Sequence, residues 1–178
     1  GSLSTWSVVD PISTSCSIPL GKSGRMRKIL CVDSDWSLSA SGGFFAYAEA
    51  TDKGTVQVVA ADLATAAISR FAVARPRREV PTAVGDSLLQ RRLRGAPPEV
   101  RDELSRLKPP ASYPVFRDIL AGSDGTVWLE VGDLTTTATT WLGVDRSGKT
   151  LGEFILPPQS TLHAIGFGTA WASAEGPD

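Results

Sequence analysis

The feature that most constrains this chain is an internal repeat built around tryptophan. The stretch 5–10, TWSVVD, is echoed by the stretch 140–145, TWLGVD, and in both copies a second tryptophan follows 30 residues after the first. Another echo relates 125–128, GTVW, to 168–171, GTAW, which begins 43 residues further on. Repeats of this kind arise when each unit buries its apolar face against its neighbours. The chain is therefore expected to be an array of similar units.

The spacing of the repeats favours a β-propeller. Units of about 40–50 residues with one tryptophan strand each are typical of propeller blades, which are four-stranded antiparallel sheets. The apolar segments are short, rich in β-branched and aromatic residues, and separated by Gly, Asp and Ser, which supply turns. We therefore predict an all-β fold: a half β-propeller over residues 3–178, with three blades' worth of strands and a short two-helix insertion.

The strands of a blade are labelled A to D from the centre of the ring outwards. The chain is predicted to begin with strands C and D at 5–10 and 13–18, followed by a full blade at 27–73 with strands at 27–32, 43–50, 55–61 and 65–73. A helical insertion at 74–112 separates it from a second full blade at 113–156, with strands at 115–121, 125–131, 138–145 and 149–156. Strands A and B of a third blade follow at 161–166 and 169–174. The N-terminus thus carries the two strands that the C-terminal unit lacks.

Three blades are too few to close a ring, since propellers have roughly four to eight. An open half-ring would leave unpaired strand edges exposed, which promotes aggregation. We expect two chains to form a homodimer by blade completion, in which each N-terminal C–D pair completes the C-terminal A–B pair of the other chain. The product is a six-bladed ring with two-fold symmetry, the commonest arrangement of homo-oligomers. The alternative is that the sequence is a truncated part of a longer gene product.

The insertion is expected to contain two short helices that cap one entrance of the ring. A first helix is predicted over 86–94, where leucines fall on one side. A second helix is predicted to open at Pro97 and Pro98, because proline is tolerated in a first turn, and to end before Pro109.

Charge is distributed unevenly along the chain. Residues 72–112 carry nine basic and five acidic groups, whereas residues 113–178 carry three and eight. Arg91, Arg92 and Arg94 are therefore candidate binding residues for an anion or a partner. The commoner outcome for a like-charge run is a solvated surface, here docked on acidic blades, and both interpretations stay open.

The overall composition excludes several classes of protein. A formal net charge of −1 argues against a nucleic-acid binder, and no apolar run approaches the roughly 18 residues of a membrane span. One histidine and two cysteines offer little for a transition-metal site, and we predict no cofactor. The GKS at 21–23 is not a phosphate loop, because Cys16 stands where that loop needs glycine. The tryptophans recur at blade period and are expected to pack in the core.

Four further residues are candidate binding residues on the face of the ring. Asp33 and Asp35 begin like a calcium loop but lack its glycine and glutamate, so a turn between strands A and B is the commoner outcome. Arg117 and His163 fall in predicted inner strands, from which a side chain can reach the channel. No nucleophile-and-base motif accompanies His163.

The second full blade resembles a bacterial six-bladed propeller family that is NHL-like. The resemblance is carried by 113–120, YPVFRDIL, by 123–128, SDGTVW, and by 141–145, WLGVD, and it covers about residues 44–174. It implies a basic helical insertion before the PVF strand and an extracytoplasmic location, periplasmic or secreted. The family largely lacks assigned functions and has no catalytic motif to carry over. This chain departs from it by lacking the opening blades and the final two strands.

These observations favour a non-catalytic binding or scaffold propeller whose capped face recognises a peptide, a glycan or a small-molecule ligand. The alternative is a lactonase- or lyase-like propeller enzyme with a metal site in its channel, which needs three or more converging ligands. The candidates for that role are Asp33, Asp35, Asp118, Asp124 and His163. A third hypothesis is a structural fragment without a ligand of its own.

Overall fold

The computed structural model of this protein describes residues 17–20, 24–27, 34–51, 54–131 and 137–174. The elements in chain order are β1 Ser17–Leu20, β2 Gly24–Arg27, β3 Ser34–Leu38, β4 Phe44–Ala50, β5 Thr55–Asp62, β6 Ala67–Ala74, α1 Thr82–Arg94, α2 Pro98–Ser105, β7 Asp118–Ala121, β8 Val127–Val131, β9 Thr139–Val144, β10 Thr150–Leu156, β11 Ser160–Gly166 and β12 Thr169–Ala174. None of the helices in these ranges is long and apolar enough to cross a membrane.

The strands form four antiparallel sheets. The first sheet has the order β3-β4-β5-β6 and the second the order β7-β8-β9-β10, so each is a simple meander. The pairs β1-β2 and β11-β12 are separate two-stranded sheets. The fold is therefore all-β with repeated antiparallel sheets, as the sequence predicts, and in chain order the two helices come between the two four-stranded sheets.

One strand of the first sheet lies later in the chain than the sequence predicts. The first strand of the first sheet was expected at 27–32, but β3, Ser34–Leu38, pairs with β4 in that place. The apolar run at 29–32 was the stronger sequence signal, whereas β3 directs the small polar Ser37 into the interior and exposes Trp36. This result also overturns the turn expected around Asp35, which lies within a strand. Residues 28–33 are outside the described ranges.

The N-terminal strands differ as well. Of the strand expected at 13–18, only residues 17 and 18 are described, and they belong to β1. β1 pairs with β2 in register Ser17 to Arg27, and no strand had been expected at 24–26. The strand expected at 5–10 lies outside the described residues. The strand expected at 115–121 is shorter, since pairing begins at Asp118.

The main core lies between the first and second sheets. Alternate residues of β4 and β5 face it, including Ala46, Ala48 and Val58, each at most 1% exposed. From the other side Val127 and Leu129 of β8 are fully buried against them. Because the alanines are small, the two sheets can approach closely, and each buried Val or Leu contributes about 1.5–3 kcal/mol by leaving water.

A smaller core joins the second sheet to the β11-β12 hairpin. It is formed by Trp141, Leu156 and Leu162, with Trp128 and Phe154 packed against it. The rings of Trp128 and Phe154 are tilted at 58° with centroids 5.2 Å apart, a favourable aromatic geometry. The faces of the second sheet are therefore both covered, one by the first sheet and one by the hairpin.

A turn of the second sheet reaches across to the first. The β9-β10 turn carries Arg146, whose Nη1 donates to Asp62 Oδ2 at 3.1 Å and whose guanidinium lies 5.0 Å from the Phe44 ring centroid. Gly125 lies beneath the same guanidinium, where a Cβ would overlap it. Gly125 also has φ +80°, so two requirements favour glycine at this position.

The helical insertion is closed at its base by two stems, the segments 75–80 and 111–115. Tyr113 N donates to Arg78 O at 2.9 Å, and Val80 N donates to Ala111 O at 3.0 Å. The helix expected at 86–94 begins earlier, at Thr82. Its first turn contains buried Gly85, which packs closely on the prolines that end the insertion: a Cβ there would lie 3.2 Å from Pro109 Cβ. In α2, Leu104 is 1% exposed and anchors the helix.

Candidate functional site

The first strands of neighbouring sheets lie side by side. β3 contacts β7, and β7 contacts β11. Between β3 and β7 the buried backbone N–H of Ala121 donates to Ser37 Oγ at 3.0 Å. These contacts bring the start of β7 next to the start of β3, and charged residues collect at that place.

The charged cluster consists of Asp35, Arg117, Asp118 and Glu130. Arg117 Nη1 lies 2.9 Å from Glu130 Oε1, and Arg117 N also donates to Glu130 O at 2.8 Å. The carboxyl groups of Asp35 and Asp118 lie within hydrogen-bonding reach of each other. Arg117 therefore pairs with Glu130 and acts electrostatically on Asp118, which in turn meets Asp35, so three strands contribute carboxyl groups to the cluster.

Burial raises the pKa of two of these carboxyl groups. For Asp118 the first cause is the protein packed around the carboxyl, although the residue as a whole is exposed; the Ile119 N–H opposes this effect, and the neighbouring Asp35 raises the pKa further. For Glu130 burial again raises the pKa, Arg117 lowers it and Asp118 raises it. Crowded carboxyl groups of this kind hold a proton to higher pH than exposed ones.

The cluster has the chemistry of a polar recognition site. The guanidinium of Arg117 donates hydrogen bonds and the carboxyl groups accept them, which suits hydroxyl and amide groups of a ligand. Among the residues that the structure describes, no group of three or more His, Cys, Asp or Glu side chains is placed to hold a metal ion.

The structure brings two of the predicted binding residues together and places three others on α1. Asp35 and Arg117 come together in the charged cluster. Arg91, Arg92 and Arg94 lie exposed in the last turn of α1, and Arg94 lines an open groove of about 550 Å³ between α1 and α2.

His163 and Asp33 are the two remaining predicted binding residues. His163 is exposed on β11, where Nε2 lies 2.7 Å from Ser173 Oγ of β12, so its partner is its own hairpin. Asp33 lies outside the described residues.

The metal ligands of the alternative hypothesis are likewise not gathered at one place. Asp35 and Asp118 meet, but Asp124 is used in a turn, where Oδ1 accepts from Thr126 and Oδ2 accepts from Phe167 N at 2.7 Å. Those hydrogen bonds outweigh burial and lower the pKa of Asp124. Asp124 therefore ties the β7-β8 turn to the β11-β12 turn.

Sequence reasoning missed Glu130 and considered Asp118 only as a metal ligand. A weak signal existed for both: each is an acidic residue inside or at the start of an otherwise apolar strand, VWLEV and DILA. Their meeting with Asp35 could not be deduced, because it depends on how two sheets pack.

The expectation that the tryptophans pack in the core is wrong for two of them. Trp141 is 4% exposed and Trp128 is half-buried, but Trp36 and Trp171 are 64% and 54% exposed. Trp128 is covered within its own sheet by Gly143 of β9, where a Cβ would lie 2.5 Å from the indole, and by Phe154 of β10. Trp171 is on β12, which pairs only with β11 among the described strands.

Comparison of the chain with protein families, with curated proteins and with solved structures gives no match. The resemblance to NHL-like propellers consequently stays a prediction. Three features of the described residues bear on function: the charged cluster, the basic helical insertion and the two-stranded β11-β12 sheet.

Proposed function

We propose that this protein is a non-catalytic binding or scaffold β-propeller, in which two copies associate as half-rings into a six-bladed ring. The observation that carries the proposal is the contrast between Trp128 and Trp171. They occupy equivalent places in the GTVW and GTAW repeats, and the glycines that open both repeats, Gly125 and Gly168, have positive φ of 80° and 72°. Trp128 is covered by two further strands of its sheet, whereas among the described strands Trp171 has only β11 beside its own.

The β11-β12 hairpin therefore resembles the first half of a four-stranded sheet. All six residues of β12 are exposed, which is unusual for a strand bearing tryptophan. A strand edge that no other described strand pairs with is a template for pairing with another chain. The sequence supplies a matching strand, because the stretch 5–10 repeats 140–145, which includes most of the third strand of the second sheet.

The opposite end of the array also exposes an apolar face. Trp36 and Leu38 flank Ser37 on β3 and face away from the second sheet, and Ile68 of β6 lies on the same side of the sheet. They are 64%, 48% and 49% exposed. In a ring this face would be covered by the completed third sheet of the other copy.

We place the ligand-recognition face at the insertion. The stem before α1 is tied to the β4-β5 loop, since Arg77 Nη2 donates to Thr51 O at 3.0 Å. Glu130, close to the end of β8, and Asp118, at the start of β7, bring the charged cluster to this same end of the second sheet. The ligand class is a peptide, a glycan or a small molecule with hydrogen-bonding groups.

Sedimentation of matched variants tests the ring. Trp171→Arg places a charge on the face that the other chain would cover and is expected to reduce the mass from about two chains to one. Phe167→Arg changes a still more exposed aromatic, at 79%, in the adjacent turn and is expected to leave the larger mass unchanged. If both variants and the parent sediment as one chain of 18.8 kDa, the ring proposal is wrong.

A further inference from the structure

A small cavity lies at the base of the helical insertion, between its two stems and the end of β8. Its volume is about 60 Å³ and it is partly open to solvent. Arg75 and Arg78 contribute to its wall from the first stem, Tyr113 from the second and Val131 from β8. The described residues that line it include no carboxylate.

The tyrosine in this wall has an unsatisfied hydroxyl. Tyr113 is 5% exposed, and its hydroxyl is shielded from solvent with no hydrogen-bond partner. Its backbone is held in place, because Tyr113 N donates to Arg78 O at 2.9 Å. A buried hydroxyl without a partner is rare in a native fold and requires an explanation. A bound acceptor is the simplest one.

The guanidinium of Arg75 has more donors than its one ion pair uses. Arg75 Nη1 bonds Glu153 Oε1 at 3.0 Å, which links the stem to β10, but a guanidinium has five N–H donors. Arginine also matches the geometry of carboxylate and phosphate oxygens better than lysine does. Two arginines and one hydroxyl donor around one small cavity form a donor set suited to an oxyanion.

We propose that this cavity binds a single oxyanion group, a carboxylate or a phosphate, that accepts from the Tyr113 hydroxyl and pairs with Arg75 and Arg78. A water molecule fills about 30 Å³ of liquid, so the volume of about 60 Å³ holds two waters or one such group. Because the cavity is partly open, the rest of a larger ligand stays outside. The inference deepens the proposed binding role, on which it rests, by naming the ligand class.

An oxyanion in this place would act on the insertion as a whole. The two stems enter and leave α1 and α2, and they are paired through Val80 N, which donates to Ala111 O, and through a bridge between Glu79 and Ser112. A group bound by Arg78 on one stem and Tyr113 on the other would lock this base. The cavity belongs to one chain, so the inference does not depend on whether the ring closes.

Calorimetric titration with inorganic phosphate and with acetate, each at an ionic strength matched with sodium chloride, tests the proposal. At least one of the two oxyanions is expected to bind the parent protein above the chloride background, and comparing the two arms identifies the oxyanion. Tyr113→Phe, which keeps the ring, and Arg78→Gln are each expected to weaken binding at least about tenfold, the usual effect of losing a hydrogen bond to a charged group.

The control is Lys149→Gln, which makes the same change of charge as Arg78→Gln in the β9-β10 turn, and its affinity is expected to stay within about twofold of the parent. Melting temperatures of all variants without added oxyanion establish that they fold; should Tyr113→Phe not fold, Arg78→Gln against Lys149→Gln still decides. The absence of oxyanion binding in the parent overturns the proposal, as does equal weakening in the variants and the control. Neither result depends on the mass of the assembly.

Discussion

The backbone N–H of Ala121 donates a hydrogen bond to Ser37 Oγ, 3.0 Å away, although the two residues are 84 positions apart. Both groups are buried where the first strands of neighbouring sheets meet, β3 of the first sheet and β7 of the second. This contact aligns the two strands so that Asp35 and Asp118, nearer their starts, also come together. A single serine therefore joins the packing of the sheets to the formation of the charged cluster.

Replacing that serine tests its role. Ser37→Ala leaves a buried backbone N–H without an acceptor, which is expected to lower the free energy of unfolding by about 1–3 kcal/mol. Ser87→Ala on the exposed side of α1 is the matched control and is expected to change it by less than about 0.5 kcal/mol. Urea unfolding measures both, and equal stability of the two variants would contradict the role assigned to Ser37.

The close approach of Trp128 to β9 makes a second prediction. Gly143→Ala would place a Cβ 2.5 Å from the Trp128 ring, so the ring must move and the smaller core must repack. Overpacking of this kind is expected to cost about 1–3 kcal/mol. Gly43→Ala, whose added Cβ meets only Ser41 Oγ at 3.7 Å, is the control and should cost clearly less. Thermal unfolding of the two variants compares them directly.

The charged cluster is expected to make stability depend on pH. The pKa of Asp118 is raised by burial and by Asp35, above its ordinary value of 3.8. The folded state then holds the proton more tightly than the unfolded state. The stability that the bound proton adds is complete below pH 3.8 and is lost as the pH rises through the pKa of the folded state. Asp118→Asn, which stays neutral, is expected to be more stable than the parent at pH 7 and equal to it below pH 3.8.

The pKa of Glu130 is also raised, and Glu130 remains in the Asp118→Asn variant. We therefore expect that the stability of this variant still falls with rising pH, but less than that of the parent. Chemical unfolding at a series of pH values provides the measurement. A variant that is less stable than the parent at pH 7 would show that the ionised carboxylate of Asp118 stabilises the fold, contrary to this account.

Asp145 is expected to behave in the opposite way. Its pKa is lowered, first by the Ser147 hydroxyl, at 2.6 Å from Oδ1, and then by the Ser147 and Lys149 backbone N–H groups. A carboxylate with a lowered pKa adds stability to the folded state at pH values above 3.8. That added stability is lost as the pH falls through the pKa of the folded state. Asp145→Ala should therefore be less stable than the parent at pH 7, with the difference shrinking in acid. A difference that stayed constant with pH would mean that the charge plays no part.

Much of the fold could be predicted from the sequence, for physical reasons that also explain the failures. β4 and β5 were predictable because their residues largely alternate between core and surface. β9 is buried along most of its length and was predictable because its sequence repeats the stretch 5–10. β3 was not, because it directs Ser37 inward and Trp36 outward, against the usual preference of these residue types.

The site was less accessible to sequence reasoning than the fold. Arg117 and Asp35 were identified as candidates, but the cluster depends on two sheets that meet across 83 positions of sequence, from Asp35 to Asp118. Likewise the unsatisfied hydroxyl of Tyr113 can be recognised only when the cavity around it is known. Periodicity determines which face of a strand is buried, but it does not determine which neighbouring sheet that face meets.

The central claim is that one chain is half of a ring, and small-angle X-ray scattering of the unmodified protein tests it most directly. At micromolar concentration, the account predicts a forward-scattering mass of about twice 18.8 kDa and a distance distribution of a compact closed disc. A mass of one chain across the concentration series would contradict it.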